Sequence, residues 1–168
     1  MLGKEWGAVV QGKLVVPPTF NFATDVLEPR ARATPDHAAI ISVGRDGSED
    51  IWSYARVQEA VVRLAGALAE RGVEQGDRVL IFMPRTALWL IAMTACHYLG
   101  AVPVPSVTQI GVSEVTYRIR RSGARAAISS SELVDRFSEV LDLVPLRLCR
   151  GIADGWDSLE EAVATPRD

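Results

Sequence analysis

From Ser53 onward the chain alternates two hydrophobic rhythms. Val57, Ala60, Val61, Leu64 and Leu68 recur at helical spacing, with Arg56, Gln58, Glu59, Arg63 and Glu70 on the other side, which predicts an amphipathic surface helix. Gly72 stands where a left-handed helix stop is wanted. Arg78–Met83 is then almost continuously apolar, the pattern of a strand buried on both faces of a parallel sheet, and Pro84 ends it. Thr86–Leu99 carries no Asp, Glu, Lys or Arg, so a helix buried almost all round is expected, stopped by Gly100. Val102–Pro105 reads as a strand and Ser113-Glu114 as the opening of a helix that ends at Gly123. Arg125–Ser129 follows as a strand, Ser131–Val140 as a helix and Pro145–Cys149 as the last strand. Asp157 and Glu160 have the N-cap and N3 spacing for a closing helix, Ser158–Ala164.

Before Ser53 the rhythm differs. Ala38–Val43 and Glu49–Trp52 are joined by a Gly44-Arg-Asp-Gly47 turn and predict a β-hairpin. Residues 1–36 read as an irregular lead-in, with a short helix around Asp25–Arg32 interrupted by Pro29. The expected fold is therefore α/β: a hairpin, then alternating βα units on a mostly parallel sheet. Residues 37–164 are expected to form a single subdomain and 165–168 a tail.

Composition adds limits. With 48% apolar and 23% charged residues the chain is ordinary globular material, and a net charge of −3 without a basic block gives no nucleic-acid footprint. Cys96 and Cys149 form neither a metal-ligand spacing nor a disulfide framework, so both are expected as reduced core residues, which suits the cytoplasm. The N-terminus lacks the pattern of a signal or transit peptide. Thr86–Leu99 is too short to span a bilayer, which needs roughly 20 apolar residues.

Candidate chemistry is sparse. Gly3-Lys4 and Gly12-Lys13 are not in glycine-rich turns after a strand, and no GxGxxG occurs. Ser129-Ser130-Ser131 lies at a strand's C-terminal end, where open α/β sheets bind ligands, yet helix capping by Ser131 is the simpler role. Cys96 and His97 are sequence neighbours whose side chains point apart on a helix, and His37 sits in a polar turn, so neither makes a nucleophile–base pair. A phospho-receiver domain needs acidic strand ends, and Pro84, Pro105 and Ser129 are not acidic. Arg118, Arg120, Arg121 and Arg125, with Arg85, form the one basic cluster, either a phosphate contact or a solvated face. Trp52, Tyr54, Trp89, Tyr98 and Trp156 are scattered and expected in the core.

Read as longer words, "FNFATDVLE" (20–28), "WSYARV" (52–57), "GDRVLIFMPR" (76–85), "CHYLGAVPVPSVTQI" (96–110), "YRIRRSGARAAI" (117–128) and "GWDSLEEA" (155–162) follow one order. That order resembles the N-terminal part of the AMP-forming acyl-CoA synthetases, adenylate-forming enzymes, over nearly all of residues 20–164. "WSYARV" resembles the family's TYxEL box, and "FNFATDVLE" with "PSVTQI" is most similar to the medium-chain branch. The resemblance implies a two-domain parent that joins a carboxylic or fatty acid to ATP with Mg²⁺, releases pyrophosphate and passes the acyl group to coenzyme A.

The family's Ser/Thr/Gly-rich loop ending in Pro-Lys, its adenine motif, its ribose-binding Asp and its catalytic Lys have no counterparts in this sequence. No catalytic, cofactor-binding or metal-binding residue is therefore assigned, and this segment is expected to be inactive alone. The expected partners are the rest of the parent domain and, through exposed apolar surface, a second copy; no nucleic acid and no membrane span are expected. The alternative is a stand-alone binding or scaffold module derived from such an enzyme.

Overall fold

The computed structural model describes residues 9–10, 13–14, 18–44 and 46–164. The Gly3-Lys4 pair and the 165–168 tail lie outside the described residues, as does Gly12 of the second Gly-Lys pair. Strands β1 (Val9–Val10) and β2 (Lys13–Leu14) form a small antiparallel pair. A π-helical turn, Ala23–Leu27, runs into helix α1 (Glu28–Ala33). Pro29 does not interrupt it: the stretch stays helical from Ala23 to Ala33, with Pro29 the second residue of α1, directly after the π-helical turn. Ala23 and Leu27 reach the main core, so this stretch packs rather than trails.

Strands β3 (Ala38–Val43) and β4 (Glu49–Ser53) form the expected hairpin, with Ile41 opposite Ile51 and a bulge between Ala38 and Ile40. At its tip the Asp46 carboxylate accepts from the Ser48 hydroxyl at 2.7 Å and the Ser48 amide at 3.1 Å, which holds its pKa below the usual carboxylate value. Helix α2 (Tyr54–Glu70) starts where the Ser53 hydroxyl accepts from the Arg56 amide, and it buries the predicted stripe of Val57, Ala60, Val61, Leu64 and Leu68.

The main sheet is parallel with strand order β6-β5-β7-β8-β9, built from β5 (Arg78–Phe82), β6 (Val102–Pro105), β7 (Ala126–Ser130), β8 (Leu146–Arg150) and β9 (Asp157–Ser158). Helix α3 (Ala87–Leu99) carries the chain from β5 to β6 on one face, together with α2 and the closing helix α5 (Leu159–Ala164). Helix α4 (Val112–Ser122) and the segment after β7 cover the other face. Each face has its own core: Val79, Ile81 and Ile128 point to one, Leu80, Phe82 and Ala127 to the other, as strand alternation requires.

Gly100 ends α3 at φ +76°, and a Cβ there would sit 3.0 Å from the Gln75 Cγ, so the sharp return into β6 needs glycine. On β6 the Val102 amide bonds to Asp77 and the Ser106 amide to Ile81. The intervening Pro103 and Pro105 therefore occupy positions whose N–H would face outward. Prolines there leave the free edge without outward donors and protect it from pairing with other strands.

Four further expectations change. Helix α3 is not buried all round: Leu90, His97 and Tyr98 are exposed, so Tyr98 is not a core residue. The segment after β7 is a 3-10 helix, Ser131–Phe137, followed by a second short turn, Leu141–Leu143, rather than an α-helix to Val140. The apolar spacing at Leu133, Phe137, Val140 and Val144 is that of an α-helix, but Ser131, Asp135 and Ser138 offer side-chain competitors to the α ladder. Ser131 does not cap it; Ser130 is the N-cap residue and makes no capping bond. At the last helix Asp157 belongs to β9 and pairs with Arg71 at 3.1 Å, so the cap is Ser158, whose hydroxyl accepts from the Glu161 amide.

Candidate functional site

The strand order places a reversal in the middle of the sheet. The chain leaves β5 toward β6 on one side and leaves β7 toward β8 on the other, so the crevice position at which open α/β sheets hold ligands falls at the C-terminal ends of β5 and β7. Here it meets Met83, Pro84 and Arg85 from β5 and Ser129-Ser130-Ser131 from β7. Ser129 is fully buried and its hydroxyl donates to the Phe82 carbonyl at 2.8 Å, tying the two strand ends together. Ser130 is buried as well, and its Oγ has no hydrogen-bond partner among the described residues.

Beside this crevice a groove of about 580 Å³ runs between the hairpin and the start of α3, with Arg85, Thr86, Leu90, Asp50 and Arg150 on its walls. Arg85 stacks toward the Trp89 ring at 5.8 Å. Among the described residues these strand ends carry no lysine and no glycine-rich run, and the Ser129 hydroxyl is committed to the sheet. Among the described residues no three His, Cys, Asp or Glu side chains gather as a metal site.

The other sequence candidates stay apart. Cys96 is buried while its neighbour His97 is exposed, and burial pushes the Cys96 thiol up to about 12, so no activated dyad forms. Cys149 is also buried, and desolvation with the nearby carboxylates of Glu160 and Glu132 raises its pKa. His37 is exposed in its turn. Of the arginine cluster, Arg120 and Arg121 project from α4, whereas Arg125 lines a separate cavity with Arg71 and Arg147. That convergence was invisible to sequence reasoning because the three residues are far apart along the chain.

The buried thiols yield a direct test. Native protein at pH 8 is expected to resist iodoacetamide at both cysteines, while urea-unfolded protein is alkylated at both, read by mass spectrometry; rapid native labelling of Cys96 would contradict its burial. The sign of the linked pH effect follows from the raised folded-state value. The unfolded thiol ionises near 9.0 and the folded one near 12, so this contribution to stability is complete below pH 9 and is lost as pH rises toward 12.

Comparison with known proteins agrees with this architecture. A family model described as "AMP-binding enzyme" matches residues 27–166. Human mitochondrial acyl-coenzyme A synthetase ACSM5 is 32% identical over 141 residues, which cover 80% of this chain and 24% of that protein. Human mitochondrial acyl-coenzyme A synthetase ACSM3 is 30% identical over 167 residues, covering 93% and 28% respectively. Acetoacetyl-CoA synthetase from Streptomyces lividans shares the fold with a TM-score of 0.81 at 20% identity, over 89% of this chain and 26% of that one. The chain thus spans about a quarter of the length of the curated relatives it matches.

These relatives carry a mitochondrial designation, which overturns the expectation of a cytoplasmic protein. Buried reduced thiols argue only against an oxidising compartment and do not tell one reducing compartment from another. The match over most of its length, on a sheet of the matching fold, places this chain in the AMP-binding enzyme family, with acyl-CoA synthetases as its relatives.

Proposed function

We propose that this chain is the N-terminal portion of an ATP-dependent acid–CoA ligase and contributes structure rather than chemistry to it. The observation that carries the reading is the family match over residues 27–166 together with coverage of only about a quarter of each relative. The whole protein would use ATP, Mg²⁺ and coenzyme A to convert a carboxylic acid of the fatty-acid class into its thioester. Residues 37–164 would act as one α/β subdomain, with the helical stretch before them packed on its core, and no catalytic, cofactor or metal residue is placed on it. The rest of the parent domain is its natural partner.

The test is ATP–pyrophosphate exchange with medium-chain carboxylic acids. Polypeptide extended through the downstream reading frame should catalyse exchange, and the 168-residue chain alone should not. Exchange by the short chain, or a downstream frame without a Ser/Thr/Gly-rich loop ending in Pro-Lys, would defeat the proposal.

Isolated chains are also proposed to self-associate. Ile41, Val43 and Ile51 are all more than half exposed on one face of the hairpin, and Leu90 is exposed on α3. Apolar surface of this kind favours association. Light scattering should show a mass above one chain at high concentration; a clean monomer would count against this.

A further inference from the structure

At the end of the sheet opposite the crevice, a cavity of about 340 Å³ is lined by Arg71, Arg125, Arg147, Gly155 and Asp157, among others. Arg71 follows the last residue of α2, Arg125 immediately precedes β7, Arg147 is the second residue of β8 and Asp157 lies in β9. We propose that this cavity is a binding site for a phosphate-bearing anion, a phosphomonoester or inorganic phosphate, held by Arg71, Arg125 and Arg147.

Charge is the first argument. Three guanidiniums share one concavity with one carboxylate, and that carboxylate is engaged: Asp157 Oδ2 accepts from Arg71 Nε at 3.1 Å. Arg125 makes no ion pair among the described residues. Like charges gathered around one hollow repel one another, and a bound dianion would relieve that repulsion.

Unspent hydrogen bonding is the second. Arg147 Nη1 donates to the Leu141 carbonyl at 3.2 Å, which fixes the side chain, yet its Nε is buried with no partner. Arg71 is likewise positioned, by Nη1 donating to the Ala67 carbonyl at 3.1 Å. Two of the three guanidiniums are therefore held in place before any ligand arrives, which lowers the ordering cost of binding.

Bare backbone is the third. A Cβ at Gly72 would lie 3.4 Å from Arg125 Nη2, and one at Gly155 would lie 3.9 Å from Arg147 Nη2. The Arg125 and Arg147 guanidiniums thus lie near bare glycine backbone. Planar guanidinium forks match phosphate oxygens in pairs, and a cavity near the small end of the ligand-site range suits a phosphate with a short organic group.

The test is an amide NMR titration of the ¹⁵N-labelled chain with sodium phosphate and with glycerol 3-phosphate, against sodium chloride at equal ionic strength. Saturable shifts at the Gly72, Arg125 and Gly155 amides are expected. In Arg125→Glu, and to a smaller degree in Arg125→Gln, affinity should fall by about tenfold or more. Arg125 is exposed, so both variants should retain the native amide spectrum elsewhere. Tighter binding of glycerol 3-phosphate would mark a phosphomonoester site, and equal binding a site for phosphate itself. Shifts that are absent, that sodium chloride reproduces, or that persist unchanged in Arg125→Glu would overturn the proposal.

Discussion

Phe137→Ala is expected to destabilise the fold by about 3–5 kcal/mol, the range for removing a buried aromatic ring. Phe137 is fully buried in the core between β5 and the 3-10 segment. Its ring meets Phe82 edge-on at 5.9 Å and Trp156 edge-on at 5.0 Å, and these contacts join a central strand to the loop before β9. Losing the ring opens a cavity at that junction and removes two aromatic pairs at once. The measurement is urea unfolding, with a lower midpoint at an unchanged slope. Tyr117→Ala, on a residue 66% exposed, is the control and should shift stability by no more than about 0.5 kcal/mol. Equal midpoints for the two variants would contradict the packing described.

Arg78→Ala is the second large effect expected, about 2–3 kcal/mol from the loss of charge-assisted hydrogen bonds. Its guanidinium donates to three carbonyls: Ser122 at 2.7 Å through Nε, Gly123 at 2.9 Å through Nη2 and Gly76 at 3.2 Å through Nη1. The first two lie at the C-terminus of α4, where carbonyls lack helical donors and a positive charge suits the dipole. One side chain on β5 thus fastens the end of α4 beside the start of β7. Hydrogen exchange should quicken most at Ser122 and Gly123 in Arg78→Ala, and Arg78→Lys should restore only part of the protection, because an ammonium cannot span the three acceptors as a fork does. Unchanged exchange in the alanine variant would show that the clamp carries no load.

The order of elements in the sheet region was readable from the residues because its signals are local. The α2 stripe, the apolar run of β5 and the stops at Gly72, Gly100 and Gly123 each depend on neighbours a few positions away, and each stands where the pattern puts it. The misses depend on distant partners. Asp157 looked like a cap until Arg71, from the end of α2, drew its carboxylate away and β8 took its backbone into the sheet. The exposed side of α3 was hidden for a similar reason. A run of apolar residues records what a surface can bury, not whether the covering surface is present, and Leu90 and Tyr98 face outward here.

The family was legible as an ordered set of words, and residue chemistry alone would have stopped at an α/β domain. The candidate site was only half legible. Ser129 at a strand end drew attention, but its bond to the Phe82 carbonyl, which makes it a structural tie, requires knowing that β5 and β7 are neighbours. The arginine cavity was not legible at all. Sequence reasoning groups Arg125 with Arg118, Arg120 and Arg121, and with Arg85, whereas the fold groups it with Arg71 and Arg147.

On the proposed reading, this chain supplies a folded layer of an adenylate-forming ligase, and nucleotide binding rests with other parts of that whole protein. Calorimetric titration of the 168-residue chain with ATP–Mg²⁺ tests it most directly, with Arg125→Glu run in parallel to remove weak phosphate binding at the arginine cavity. No saturable heat is expected at micromolar nucleotide in either protein. Micromolar ATP binding that survives in Arg125→Glu would contradict it and would place a nucleotide site within these residues.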